Sequence, residues 1–182
     1  MQVMAVYNRF GFILIMALAA CSGLKFGKEI KSPFDGKAYQ SNNRFFRATG
    51  SGESKSLEVS KDKALLLTKQ RLASAVSTEL KMVAERYQSE RDNLKASDFG
   101  DRFQALTREV LSTSLKDIRT IGDKTFQKDD GSFITYIALE IKKKDYYKLL
   151  EVEAKNKTGF SEAERTAIKH MIDQAIADAE KD

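Results

Sequence analysis

From Leu57 to about Asn93 the chain runs without glycine or proline, and this stretch limits the fold more than any other. Leu65, Leu72, Val76, Leu80, Val83 and Tyr87 recur along it at helical spacing. Between them fall Lys69, Arg71, Glu79, Lys81, Glu85 and Arg86. Apolar side chains every three or four positions line one side of an α-helix and leave a charged side for water. A helix of this length buries such a stripe only against a second layer of structure.

The flanking segments supply that layer. Arg44–Gly50 reads as a short strand in which Phe46 and Ala48 alternate with Phe45, Arg47 and Thr49. Gly50-Ser51-Gly52 is expected to break the strand, and Ser54 or Ser56 to cap the helix that follows. A second helix is predicted from Asp98 to about Ser112, with Phe99, Phe103, Leu106 and Val110 on one stripe. The period then changes. Leu115–Phe126 is rich in Thr and Ile, and Phe133–Ile141 alternates between two faces. The intervening Lys128-Asp129-Asp130-Gly131 ends in the Asp-Gly chemistry of a tight hairpin. Lys144–Ala154 predicts a short helix ending near Asn156 and Gly159. Ser161-Glu162-Ala163-Glu164 then forms a capping box that opens a final helix through Ile168, Met171, Ile172, Ala175 and Ile176. The expected architecture is α+β: a small antiparallel sheet of at least three strands with a strand–helix–strand–strand core. The long helix packs it, and further helices follow at the C-terminus.

The inventory of reactive groups is short. One Cys and one His exclude an internal disulfide and a mixed His/Cys metal cluster built within the chain. No cofactor, metal site or catalytic residue is assigned. His170, near the stripe of the last helix, reads as structural or exposed. Asp123, Asp129 and Asp130 do not follow calcium-loop spacing and read as turn residues. The 26 acidic residues leave a glycosidase-like pair open, yet nothing singles one out. Gly50, Ser51 and Gly52, expected between a strand and a helix, form a candidate anion or turn site. They complete neither a dinucleotide fingerprint nor a P-loop. Lys142-Lys143-Lys144 beside Tyr146 and Tyr147 mixes basic and aromatic groups as nucleic-acid surfaces do. The reading preferred here is a solvated strand end with tyrosines covering the sheet, and no nucleic-acid partner. The formal net charge of +5 falls to +4 once residues 1–20, which hold only Arg9, are set aside.

Residues 1–20 have a character of their own. Arg9 precedes the apolar run Phe10–Ala20, and Leu18-Ala19-Ala20-Cys21 closes it. A spanning helix needs about 20 apolar residues, so this shorter run reads as a cleavable export signal rather than a permanent anchor. The closing tetrapeptide resembles the bacterial lipobox at all four positions. That resemblance implies cleavage between Ala20 and Cys21 and a diacylglyceryl group on the Cys21 thiol. Each buried methylene contributes roughly 0.8 kcal/mol, so two or three acyl chains hold a protein on a membrane where one does not. By the same resemblance Ser22, a non-acidic residue after the lipidated Cys, implies sorting to the outer membrane, and the expected location is there, facing the periplasm. Ser22–Asn43, polar and carrying Gly23, Gly27, Pro33 and Gly36, reads as a tether with a reach of roughly 25 Å.

Phe45-Phe46-Arg47-Ala48-Thr49-Gly50-Ser51-Gly52, followed by Ala64, Leu72 and Ala73, resembles the family of small (about 20 kDa) bacterial lipoproteins. Some of these are associated with flagella or the outer membrane. The Tyr136-Ile137-Ala138-Leu139-Glu140 strand is compatible with the same pattern. The resemblance implies a compact strand–helix–strand–strand domain with a binding or structural role and no catalytic residues to carry over. Three parts are therefore expected: a signal peptide (1–20), a lipidated Cys21 with its tether (21–43), and a single α+β domain (44–182). The expected function is that of a non-enzymatic envelope lipoprotein, partnered by membrane lipid, by envelope proteins or by itself. The alternative is a lipoprotein holding an amphiphile or anion between sheet and helices.

Overall fold

The computed structural model describes residues 27, 30–89, 96–114 and 118–181. Its contacts separate Met1–Lys31 from a unit spanning Ser32–Asp182, and the latter holds every element below. In chain order these are β1 (Phe45–Ser54), α1 (Leu57–Ser89), α2 (Ala96–Ser114), β2 (Arg119–Gln127), β3 (Phe133–Lys142), α3 (Lys143–Asn156) and α4 (Glu162–Ala179). The sheet is antiparallel in the order β1-β3-β2, so the last strand lies in the middle. This is the α+β arrangement expected from the pattern.

The helix α1 divides into two halves with different tasks. Its fully buried positions are Ser60, Ala64, Thr68, Leu72, Val76, Leu80, Ala84 and Tyr87. The first three are small, and they lie over β1. A Cβ added at Gly52 meets the Ala64 amide nitrogen and the Ser60 carbonyl oxygen, each at 2.5 Å. One added at Gly50 falls 2.5 Å from Thr68 Oγ1. The two glycines therefore let the helix backbone settle on the strand. From Leu72 onward the buried side chains, Ala84 apart, are larger, and they join a core with Phe99, Phe103 and Leu106 of α2 and Ile168, Met171 and Ile172 of α4. At 1.5 Å per residue the 33-residue helix is about 50 Å long, long enough to serve the sheet with one half and the helical layer with the other.

Here one expectation is corrected. Gly50-Ser51-Gly52 does not break β1, which runs on to Ser54 with these three residues paired to Ile137, Tyr136 and Thr135. Glycine appears in the strand because a helix backbone approaches it, a recognised use of strand glycine. The turn comes later, where Ser56 caps α1 by accepting from the Val59 amide at 3.5 Å.

The hairpin forms as read. Gly131 takes φ +79°, its amide donates to the Lys128 carbonyl at 2.9 Å, and Asp130 accepts from both the amide and the hydroxyl of Ser132. The capping box at Ser161 and Glu164 is complete in both directions. Phe46 of β1 meets Tyr146 and Tyr147 of α3 edge-on, with centroids 6.2 Å apart in each pair, and this fixes α3 to the end of the sheet.

The opposite, outer face of the sheet is partly covered by the chain ahead of β1. Residues Ser32–Asn43, within the segment read as tether, belong to the same unit as the sheet. Phe34 takes φ +68° after Pro33, and its ring lies where a Gly122 side chain would stand, 2.6 Å from the ideal Cβ. The Phe34 and Tyr39 rings touch at 4.8 Å, and Lys124 Nζ stands 5.8 Å from the Phe34 centroid.

Candidate functional site

Two clusters of ionisable groups are drawn into the fold. The first joins α1 to α3. Lys143 is buried at the very start of α3, where its amide continues the sheet by donating to the Arg44 carbonyl at 2.9 Å. Its ammonium lies 2.6 Å from both Glu79 oxygens and 4.7 Å from the Phe46 ring centroid. The Tyr147 hydroxyl donates to Glu79 Oε1 at 2.7 Å. Burial, reinforced by that carboxylate, pushes the Tyr147 phenol far above its ordinary range and keeps it a donor. Tyr146 is pushed the same way by burial, and its hydroxyl donates to the Thr107 carbonyl at 3.0 Å, tying α3 to α2. Glu79 and Lys143 also line a surface cleft of about 240 Å³ with Arg86 and Asp178. Chemically the cluster is a joint: one carboxylate held by both an ammonium and a phenol.

The second cluster lies on the outer sheet face. Glu140 of β3 is 3% exposed, between Arg47 of β1 and Arg119 of β2, its cross-strand neighbours on either side. Arg47 Nε donates to Glu140 Oε2 at 2.9 Å while its guanidinium stands 4.8 Å from the Phe45 ring centroid. Arg119 binds the other carboxylate oxygen. Opposite charges directly across neighbouring strands stabilise the pairing, and here one acid serves two strands. Beside it lies a shallow cleft of about 370 Å³ lined by Phe45, Arg119, Glu140, Lys142, Asp145 and Tyr146.

These clusters escaped the sequence for different reasons. Glu79 falls among the charged residues that alternate with the apolar stripe of α1, and Lys143 lies within a run of three lysines. Lys142 and Lys144 do behave as surface cations, paired to Asp145 and Glu180, whereas Lys143 turns inward. Glu140 alternates along β3 with Leu139 and Ile141, on the opposite face of the strand. Its partners follow only once the strand order sets an arginine on each side.

The residues singled out earlier are not brought together. Gly50, Ser51 and Gly52 lie in β1, where the two glycines are closed off by α1. Where α1 crosses β1, a single added Cβ at Gly52 meets backbone, which leaves no room for an amphiphile between them. His170 is exposed on α4 and packs its ring on Tyr87, with centroids 5.8 Å apart. Among the described residues, no group of three or more His, Cys, Asp or Glu side chains is arranged to hold a metal ion, and no helix is long and apolar enough to cross a membrane. Ala20 and Cys21 lie outside the described residues. Comparison with protein-family models, with curated proteins and with solved structures found no match to this chain.

Proposed function

We propose that this chain is the precursor of an envelope lipoprotein, cleaved after Ala20, acylated at Cys21 and held on the outer membrane facing the periplasm, where its domain serves as a non-enzymatic interaction module. The observation that carries this reading is the Leu18-Ala19-Ala20-Cys21 tetrapeptide closing the apolar run Phe10–Ala20. An acyl group on a thiol at that point supplies membrane affinity, and among the described residues no helix is long and apolar enough to supply it by spanning. The interaction role is supported by the way the two charged clusters are used: each fixes one element to another, as a rigid scaffold requires.

The test is envelope fractionation of a bacterium producing the full chain, together with chemical crosslinking of whole cells. The expected result is a protein that resists high-salt and alkaline washing of the membranes and yields a discrete crosslinked species. Cys21→Ala should move it to the soluble fraction. A wild-type chain that washes off as readily as the variant would refute the anchor, and a chain captured only as a monomer would refute the module.

A further inference from the structure

The two edges of the sheet are finished differently. Along β1 both backbone groups of Phe45 and Arg47, and the carbonyls of Thr49 and Glu53, are met from within the chain. Asn42 binds the amide of Phe45 through Oδ1 and its carbonyl through N–H. Ser41 Oγ accepts from the Arg47 amide and donates to its carbonyl. Arg71 and Lys63, reaching across from α1, donate to the carbonyls of Thr49 and Glu53. Side chains thus occupy this edge at intervals along its length, a recognised way of blunting an edge against another strand.

Antiparallel geometry then assigns the opposite edge. Phe45, Arg47, Thr49 and Glu53 point outward, so Ala48, Gly50 and Gly52 bond to Leu139, Ile137 and Thr135 of β3. Tyr136 and Ile134 are left to bond to Lys124 and Phe126 of β2. Asp123, Thr125 and Gln127 therefore direct their amides and carbonyls away from the sheet. Among the described residues no partner meets them.

We propose that β2 is a self-pairing edge, at which a second copy of this chain adds antiparallel with Thr125 opposite Thr125. The proposal rests on the reading of the domain as an interaction module and names its partner. Among the registers centred on the four residues from Asp123 to Phe126, charge selects one. Centring the pair on Asp123 sets Asp123 against itself, and centring it on Lys124 sets Lys124 against itself. Centring it on Phe126 sets Lys124 against Lys128 and Asp123 against Asp129. Like charges directly opposite destabilise a strand pair. Centred on Thr125, the pairing faces Asp123 with Gln127 and Lys124 with Phe126. The Phe126 ring, 48% exposed, then receives the Lys124 stem and ammonium of the other copy. The resulting two-fold axis is perpendicular to the sheet. Both outer faces, and both segments entering through Phe34, then lie on one side, as two anchors in one bilayer require. An edge of this length falls below the roughly 1,200 Å² typical of stable interfaces, so confinement on a membrane is what makes it significant.

Disulfide trapping decides the matter. In a hydrogen-bonded antiparallel pair the Cα atoms stand about 5.5 Å apart, within disulfide range. Full-length Thr125→Cys, oxidised mildly in membranes, should give a covalent dimer, while Asp123→Cys and the parental chain should not. Adding Phe126→Lys, which opposes Lys124 with a like charge, should cut the trapped dimer about tenfold. Phe126→Glu, which opposes it with an unlike charge, should preserve it. Equal trapping at Asp123 and Thr125, or an equal loss in both Phe126 variants, would overturn the register and with it the proposal. The same trapping in the concentrated, purified Cys21→Ala chain separates this inference from the anchor. A Thr125 dimer there upholds the edge whatever becomes of Cys21, and its absence both there and in membranes removes the edge while leaving the anchor standing.

Discussion

Gly52→Ala tests the contact on which the fold turns. The added Cβ would stand 2.5 Å from the Ala64 nitrogen, 2.5 Å from the Ser60 oxygen and 2.6 Å from the Lys63 Cβ. Two of these are backbone atoms inside a helix, and the third is fixed to that backbone, so no rotamer change relieves them. Relief requires α1 to lift by about an ångström along the half that lies on the sheet. Overpacking of this kind costs about 1–3 kcal/mol, and the rigid neighbours place Gly52→Ala at the upper end. For a unit of this size that corresponds to a melting temperature lower by roughly 5–10 °C. Gly50→Ala provides the comparison. Its closest contact, Thr68 Oγ1 at 2.5 Å, is a side-chain atom, although the Thr68 nitrogen follows at 3.0 Å. Combining it with Thr68→Ala should recover part of the loss, whereas no side-chain change should rescue Gly52→Ala. Thermal melts followed by circular dichroism, with urea titrations for the free energies, resolve the difference. A Gly52→Ala protein within about 0.5 kcal/mol of the parent would refute the close approach of helix and strand, since surface changes alone produce effects of that size.

Three further experiments examine other joints. Phe34 combines a left-handed backbone with a ring on Gly122, so Phe34→Gly should cost about 1 kcal/mol less than Phe34→Ala, although alanine is ordinarily the milder change; urea midpoints measure the gap. Lys143→Met strands the Glu79 carboxylate with only Tyr147 and should destabilise by about 2–4 kcal/mol, while Lys143→Met with Glu79→Leu should recover much of the loss in the same titrations. Glu164 is pushed up by burial, but the Ser161 amide, Arg102 and the Ser161 hydroxyl outweigh that and hold it below its ordinary 4.5. A carboxylate with a lowered folded-state pKa adds stability above its unfolded value and loses it as pH falls through the folded one. Glu164→Gln should therefore flatten the decline in melting temperature below about pH 4.5, and an unchanged acid slope would contradict the assignment.

Much of the fold was legible because periodicity reports which surface a segment buries. The hairpin at Asp130-Gly131, the Ser161–Glu164 capping box and the stripe Phe99, Phe103, Leu106 and Val110 all follow from local rules, and the structure has each. The first half of α1 was harder to read. There the buried stripe is Ser60, Ala64 and Thr68, residues that no hydrophobic count selects, while Leu65 is only half-buried and Leu66 is exposed. For the same reason Gly50-Ser51-Gly52, taken alone, resembles a turn. Small residues on a helix and glycines on a strand are two sides of one contact, and neither explains itself without the other. The charged clusters were hidden for a related reason. Glu140 acquires Arg47 and Arg119, and Glu79 acquires Lys143, from segments distant in sequence, and local spacing carries no record of such pairs.

The anchor is the claim on which the functional account depends, and the intact mass of the membrane-extracted protein tests it most directly. The expected chain begins at Cys21 and carries two or three acyl groups, with both features lost in Cys21→Ala. A chain that retains residues 1–20, or begins elsewhere without lipid, would contradict it.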